Sequence, residues 1–127
     1  MFCLTACPSM ATITGSMGVI TSPFYPGHYD NNQNCSWKII ASRGERIYLF
    51  ILDIDIERGT NCPHDYIEIQ NGYFALTGVI GRLCETSQNS TIVSYQQNLI
   101  VRFVTDGSVT RKGFRLGYLV IGGHTSK

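Results

Sequence analysis

Several short stretches of this chain alternate apolar and polar residues with period two, and turn-forming residues punctuate the intervals between them. Few folds satisfy both constraints. From 48 to 57 the even positions read Tyr48, Phe50, Leu52, Ile54 and Ile56, with Asp53, Asp55 and Glu57 interleaved toward the end. Successive side chains of a strand point to opposite faces, so this run predicts a strand with one buried face whose other face turns polar near a loop. Asp65–Ile69 predicts a second strand, Leu99–Val104 a third, and Phe114, Leu116, Tyr118 and Val120 mark the buried face of a fourth. Shorter candidates cover Gly18–Thr21, Cys35–Ile40, Gly78–Leu83 and Thr91–Tyr95. Turn signals separate them, including Tyr25-Pro26-Gly27, Asp30-Asn31-Asn32, Arg58-Gly59, Asn71-Gly72 and Asp106-Gly107. About eight short strands at this spacing predict an all-β chain folded as an antiparallel two-sheet β-sandwich or jelly roll. Met1–Ser9 and Gly122–Lys127 read as an N-terminal arm and a C-terminal tail around a single domain over 10–121.

Composition narrows the function. Ten basic and nine acidic residues give a net charge of +1, which offers no bulk attraction to nucleic acid or to an anionic membrane. No apolar run approaches the roughly 20 residues of a membrane-spanning helix. The five cysteines, at 3, 7, 35, 62 and 84, form no repeated short-spaced pair of the kind a structural zinc site uses. Disulfides are the better reading, and they imply an oxidising compartment outside the cytosol. Two N-glycosylation sequons, at Asn34 and Asn89, agree with that placement, although an unmodified polar loop explains either one alone. Met1–Met10 lacks a basic and then apolar leader, so the chain is expected to be a mature domain or a piece of a larger extracellular protein.

Five of the nine acidic residues fall between 53 and 68: Asp53, Asp55, Glu57, Asp65 and Glu68, with Arg58 the single basic residue among them. A return of the chain between the strands that end at Glu57 and begin at Asp65 brings these two carboxylates to one edge. Like charges held together are relieved by a proton or a metal, and hard oxygen ligands favour Ca²⁺ over zinc. A solvated polar face explains the same pattern. An acid/base pair for hydrolysis would need a substrate cleft, and a small sandwich with short turns has little depth for one. No G-x-S-x-G elbow is present, and His64, in the Cys62–Asp65 loop, is expected to be exposed.

The order of motifs is similar to that of the CUB domain, an extracellular β-sandwich module of complement and tolloid-type proteases and of endocytic and neuropilin-like receptors. The matching text runs through Gly18-Val19-Ile20-Thr21-Ser22-Pro23-Phe24-Tyr25-Pro26-Gly27-His28-Tyr29 and then Asn34-Cys35-Ser36-Trp37. It continues with Asp55-Ile56-Glu57, Cys62-Pro63-His64-Asp65-Tyr66, Leu83-Cys84, Asp106-Gly107-Ser108 and Gly113-Phe114. The resemblance implies two disulfides. Cys62 would bridge Cys84, closing a loop of about 20 residues worth roughly 3 kcal/mol. Cys35 would pair with an N-terminal cysteine, Cys7 being better placed and Cys3 the alternative.

The resemblance also implies a calcium site. Glu57, Asp65 and Asp106 stand where calcium-binding members carry their carboxylates, the backbone carbonyl of Ser108 would add a ligand, with that of Val109 as a further one, and Tyr29 would orient the glutamate. The expected function is a non-catalytic module that presents Glu57, Asp65 and Asp106 to a protein partner offering Lys or Arg. Two rivals stand beside it. One is a glycan or glycosaminoglycan binder using Arg111, Lys112 and Arg115; the other is a purely structural or dimerising module.

Overall fold

The computed structural model describes residues 7–57, 62–71, 79–84, 91–94 and 97–122. Cys3, Arg58, Asn89, the Gly72 end of the Asn71-Gly72 turn and the tail beyond Gly122 lie outside these residues. The described residues form nine strands: β1 (Ala11–Thr14), β2 (Met17–Thr21), β3 (Asn34–Ile40), β4 (Glu45–Asp55), β5 (Tyr66–Asn71), β6 (Val79–Leu83), β7 (Thr91–Val93), β8 (Asn98–Val104) and β9 (Gly113–Gly122). They form a five-stranded sheet in the order β1-β3-β8-β5-β6 and a four-stranded sheet in the order β2-β9-β4-β7. The fold is the expected all-β two-sheet sandwich with two disulfides, Cys7–Cys35 and Cys62–Cys84.

Two details depart from the sequence reading. β1 is an additional strand, and it runs parallel to β3 where an antiparallel sandwich was expected throughout. Parallel neighbours need a crossover, and the chain supplies one by passing through β2 in the other sheet before returning as β3. The second departure is in β4. Ile47 and Leu49 are buried while Leu52 is 50% exposed, and only after the register shift between Ile51 and Asp53 do Ile54 and Ile56 turn inward. A β-bulge adds one residue and so inverts which parity faces the core. The even-numbered face expected for the whole strand is therefore the outer face up to Leu52.

Cys7–Ser9, expected in a terminal arm, are tied to the sandwich. Cys7 is bonded to Cys35, and the Pro8 carbonyl accepts a hydrogen bond from the Ser36 amide at 2.8 Å.

The core lies between the sheets, with Ile39, Ile47, Leu49, Ile67, Ile69, Leu99, Val101 and Leu116 buried. An aromatic chain crosses it. Trp37 meets Phe114 at 5.9 Å, Phe114 meets Phe103 at 5.0 Å, and Phe103 meets Tyr29 at 5.1 Å, all edge-to-face. Such pairs add about 0.5–1.5 kcal/mol each beyond the area they bury. Tyr29 is thus fixed by the core although it comes from a loop. The loop is held at its other end by Ser22, whose amide donates to the Phe114 carbonyl and whose Oγ accepts from the Phe114 amide. Gly113 permits this contact: its φ is +100°, and a Cβ there would lie 1.9 Å from Ser22 Oγ.

Glu68 belongs to a separate network from the acidic edge. It is buried on β5 and receives Gln70 Nε2 at 2.6 Å and Arg82 Nη2 at 3.0 Å, with Arg102 at 3.8 Å. Burial pushes its carboxyl up, but Arg82, Gln70 and Arg102 outweigh that and leave it below the ordinary glutamate range. A lowered folded value adds stability above the unfolded pKa, and that stability fades as pH falls through the folded value. Glu68→Gln should therefore cost about 1 kcal/mol at pH 7, the arginines being partly solvated, and the difference from the parent should shrink toward zero below about pH 4. Urea titrations across that range measure it; a constant difference would rule the charge out as the cause.

Candidate functional site

The site lies where three parts of the chain meet: the Tyr29–Gln33 segment, Glu57 with the His64–Asp65 pair, and the loop that begins at Asp106. Asp65 precedes β5 and is fully buried. Its Oδ2 accepts the Tyr29 hydroxyl at 2.5 Å, and its Oδ1 accepts the Asp106 amide at 2.9 Å. The Asp106 carbonyl in turn accepts the Asn32 amide at 2.8 Å. One buried carboxylate thus ties the other two segments together. The Asp106 side chain points outward from this knot, with Oδ1 accepting the Ser108 amide at 3.2 Å and Oδ2 lying 3.2 Å from His64 Nδ1.

Glu57 follows β4 and reaches the same place. Ligand atoms of Glu57, His64 and Asp106 lie within 4.8 Å of one another. Glu57 Oε1 is buried and meets no hydrogen-bond donor among the described residues. Desolvation, and after it the charge of Asp106, raises the Glu57 carboxyl above its ordinary range. Asp65 is raised by burial first, an effect that its bonds to Tyr29 and the Asp106 amide only partly offset. Asp106 moves the other way, chiefly because the Ser108 amide stabilises its charged form. Burial is the first cause for both raised carboxyls, and the neighbouring carboxylate charge adds to it.

Among the expected site residues, Glu57 and Asp106 come together at the mouth. Asp65 sits behind them with both oxygens already hydrogen-bonded, and Ser108 contributes a backbone amide to Asp106. Tyr29 hydrogen-bonds Glu57 through the backbone and has Asp65 as a second partner. Its hydroxyl donates to Asp65, and it touches Glu57 only by accepting the Glu57 amide at 3.2 Å. The reason is placement: the phenol is anchored by Phe103 beneath the loops, where the buried Asp65 carboxylate is the available acceptor. Tyr29→Phe keeps the ring packing but strips Asp65 of a donor and the Glu57 amide of an acceptor. It should cost about 1–3 kcal/mol in denaturant unfolding, and a loss below a few tenths would mean the hydroxyl is dispensable.

The acidic run from 53 to 68 divides in space. Lys112 Nζ lies 2.7 Å from Asp53 Oδ2, and Tyr25 also donates to Asp53. Arg111 Nε lies 2.9 Å from Asp55 Oδ1. Glu68 is on the outer face of β5 with its arginines. The counter-charges come from β6, β8 and the segment before β9, all distant in sequence. These pairs also reduce the basic patch of Arg111, Lys112 and Arg115, since two of its three cations are engaged by carboxylates. Asn34 is exposed at the start of β3. His64 was read only as an exposed loop residue, yet it is the group that faces Asp106. The signal for it was its position next to Asp65 and two residues from Cys62.

The chain is a disulfide-tied two-sheet β-sandwich with carboxylates gathered at one end. The model of the CUB domain family matches residues 7–118, and the chain belongs to that family. It is 36% identical over 103 residues to human Tumor necrosis factor-inducible gene 6 protein, covering 81% of this chain and 37% of that protein. It is 38% identical over 98 residues to human Tolloid-like protein 1, covering 77% of this chain and 10% of that protein. The chain therefore spans little more than a third, or as little as a tenth, of these relatives. The solved MASP-1 CUB2 domain bound to Ca²⁺ matches with a TM-score of 0.71 at 31% identity, covering 86% of this chain and 96% of that one. CUB domains are typically extracellular protein–protein interaction modules and generally non-catalytic. No helix among the described residues is long and apolar enough to cross a membrane.

Proposed function

We propose that this chain is a non-catalytic extracellular binding module whose acidic edge holds Ca²⁺ and, so organised, receives a lysine or arginine side chain from a protein partner. The observation that carries this reading is Glu57 Oε1, a buried acceptor without a donor among the described residues, facing Asp106 across the mouth of the site. The donor set fits a hard cation: carboxylates of Glu57, Asp65 and Asp106, with the Ser108 carbonyl and water completing an oxygen shell. Calcium supplies +2 against three carboxylates, which relieves their repulsion and leaves net negative charge for a basic side chain. Asp65 and Tyr29 hold the loops in register beforehand, so less ordering is left for the partner to impose. The calcium-bound MASP-1 domain supports the metal assignment by likeness. Asn34 and Asn89 are proposed to carry N-linked glycans.

The partner step is tested with a single lysine. Backbone amide shifts are followed as N-acetyl-lysine methylamide is added in saturating calcium, with the norleucine analogue as control. Shifts at Glu57, Asp65, Asp106 and Ser108 with the lysine compound alone are the expected result. Equal shifts with norleucine, or shifts confined to another surface, would contradict the reading.

A further inference from the structure

We infer that His64 gives this site a nitrogen ligand, so that Glu57, His64 and Asp106 take up Zn²⁺ in competition with Ca²⁺. Calcium coordination is built from oxygen, and an imidazole adds nothing to it. Zinc is different: imidazole and carboxylate are among its standard ligands, and three protein ligands with one open position make a complete binding set.

The geometry suits the smaller ion. His64 Nδ1 and Asp106 Oδ2 are 3.2 Å apart. Tetrahedral zinc with bonds of about 2.0–2.1 Å places neighbouring ligand atoms about 3.4 Å apart. The Glu57 oxygen completes a triangle with no edge longer than 4.8 Å, which a small rotation of that side chain closes. Glu57 Oε1 has no donor to give up among the described residues.

His64 is also held where a ligand must be. It stands two residues after Cys62, which is bonded to Cys84, and is followed directly by the fully buried Asp65. Both neighbours fix the backbone, while the imidazole itself is 45% exposed and able to meet an incoming ion. A ligand on a rigid tether loses little freedom on binding. The four bonded cysteines are unable to compete for the metal, being oxidised. The regulatory consequence rests on the calcium reading above. Zinc would draw Glu57 and Asp106 away from calcium and so withdraw the calcium-organised surface from its partner.

The test is calorimetric titration of the full chain with ZnCl₂ and, separately, with CaCl₂. The parent, His64→Ala and, as a control, His28→Ala are compared, and thermal melts establish that all three are folded. One Zn²⁺ per chain is expected in the parent, with calcium shifting the zinc isotherm to higher concentration. His64→Ala should lower zinc affinity by about 100-fold while moving calcium affinity less than about threefold. His28→Ala should bind zinc as the parent does. Cobalt(II) gives an independent readout: its visible absorption in the parent should be lost in His64→Ala. Zinc affinity equal in parent and His64→Ala, or no zinc binding by the parent, would overturn the inference. Zinc binding that depends on His64 in a chain that ignores calcium would sustain the zinc site and reject the calcium reading. Calcium binding with no dependence of zinc on His64 would do the reverse.

Discussion

Asp106→Ala should abolish calcium binding at this site and leave the sandwich folded. The substitution is clean because of how Asp106 is used. Its backbone amide donates to Asp65 and its carbonyl accepts from Asn32, and alanine keeps both bonds. Among the described residues its carboxylate accepts the Ser108 amide, lies beside His64 and faces Glu57, and it is partly solvated. Stability without calcium should therefore change by no more than about 0.5 kcal/mol, the usual range for an exposed position. Calcium affinity depends on the number of charged ligands, so losing one of three should weaken it by roughly 100-fold or more. Calorimetry on the parent and variant measures the affinity, and chemical denaturation in EDTA measures the fold. Asp65→Ala is the less informative change, because Asp65 is fully buried and ties two other segments to itself. A calcium isotherm unchanged in Asp106→Ala would remove Asp106 from the ligand set.

Replacing Cys62 and Cys84 together by serine should cost about 3 kcal/mol, the chain-entropy value for a loop of 22 residues. The loss should reach the site as well as the fold. Cys62 stands between Glu57 and Asp65, so the bridge to the end of β6 limits where that connection travels. Without it, binding an ion must also order the connection, and calcium affinity should fall alongside stability. The Cys7–Cys35 bridge provides the comparison. It joins the N-terminal segment to β3, and the loop it closes contains none of Glu57, Asp65 and Asp106, so its removal should lower stability without a matching loss of calcium affinity. Denaturant unfolding with calorimetry on both double variants separates the two effects. Equal loss of calcium affinity in both would mean the bridges act through global stability alone.

The strands were legible because alternation at period two reports a half-buried sheet directly. β9 follows the expected parity, with Phe114, Leu116 and Tyr118 buried. β4 does not, because a bulge is a feature of pairing between strands and leaves no mark in one strand's own alternation. β1 escaped for a similar reason: it is four residues long, buries only Ile13 fully, and owes its position to β3. At the site, Glu57, Asp65, Asp106 and Tyr29 stood out through family motifs, whereas the partners of the remaining acids did not. Lys112 and Arg111 reach Asp53 and Asp55 across the β4–β9 pairing, and local charge counting has no access to a contact made that way. The same limit hid His64. Its contact with Asp106 spans 42 positions and exists only because Asp65 draws the two loops together.

The near-neutral net charge conceals an uneven surface. Most acids of the 53–68 stretch are matched by arginine or lysine, and the unmatched carboxylates collect around Glu57 and Asp106. The central claim is that this remainder is a calcium site. Thermal unfolding of the parent chain in calcium and in EDTA tests it most directly. A ligand at about 100 times its dissociation constant adds about 2.7 kcal/mol to stability, which for a domain of this size raises the melting temperature by several degrees. The account predicts that rise in calcium, its reversal by EDTA, and its absence in Asp106→Ala. A melting temperature of the parent that is identical in calcium and in EDTA would contradict it.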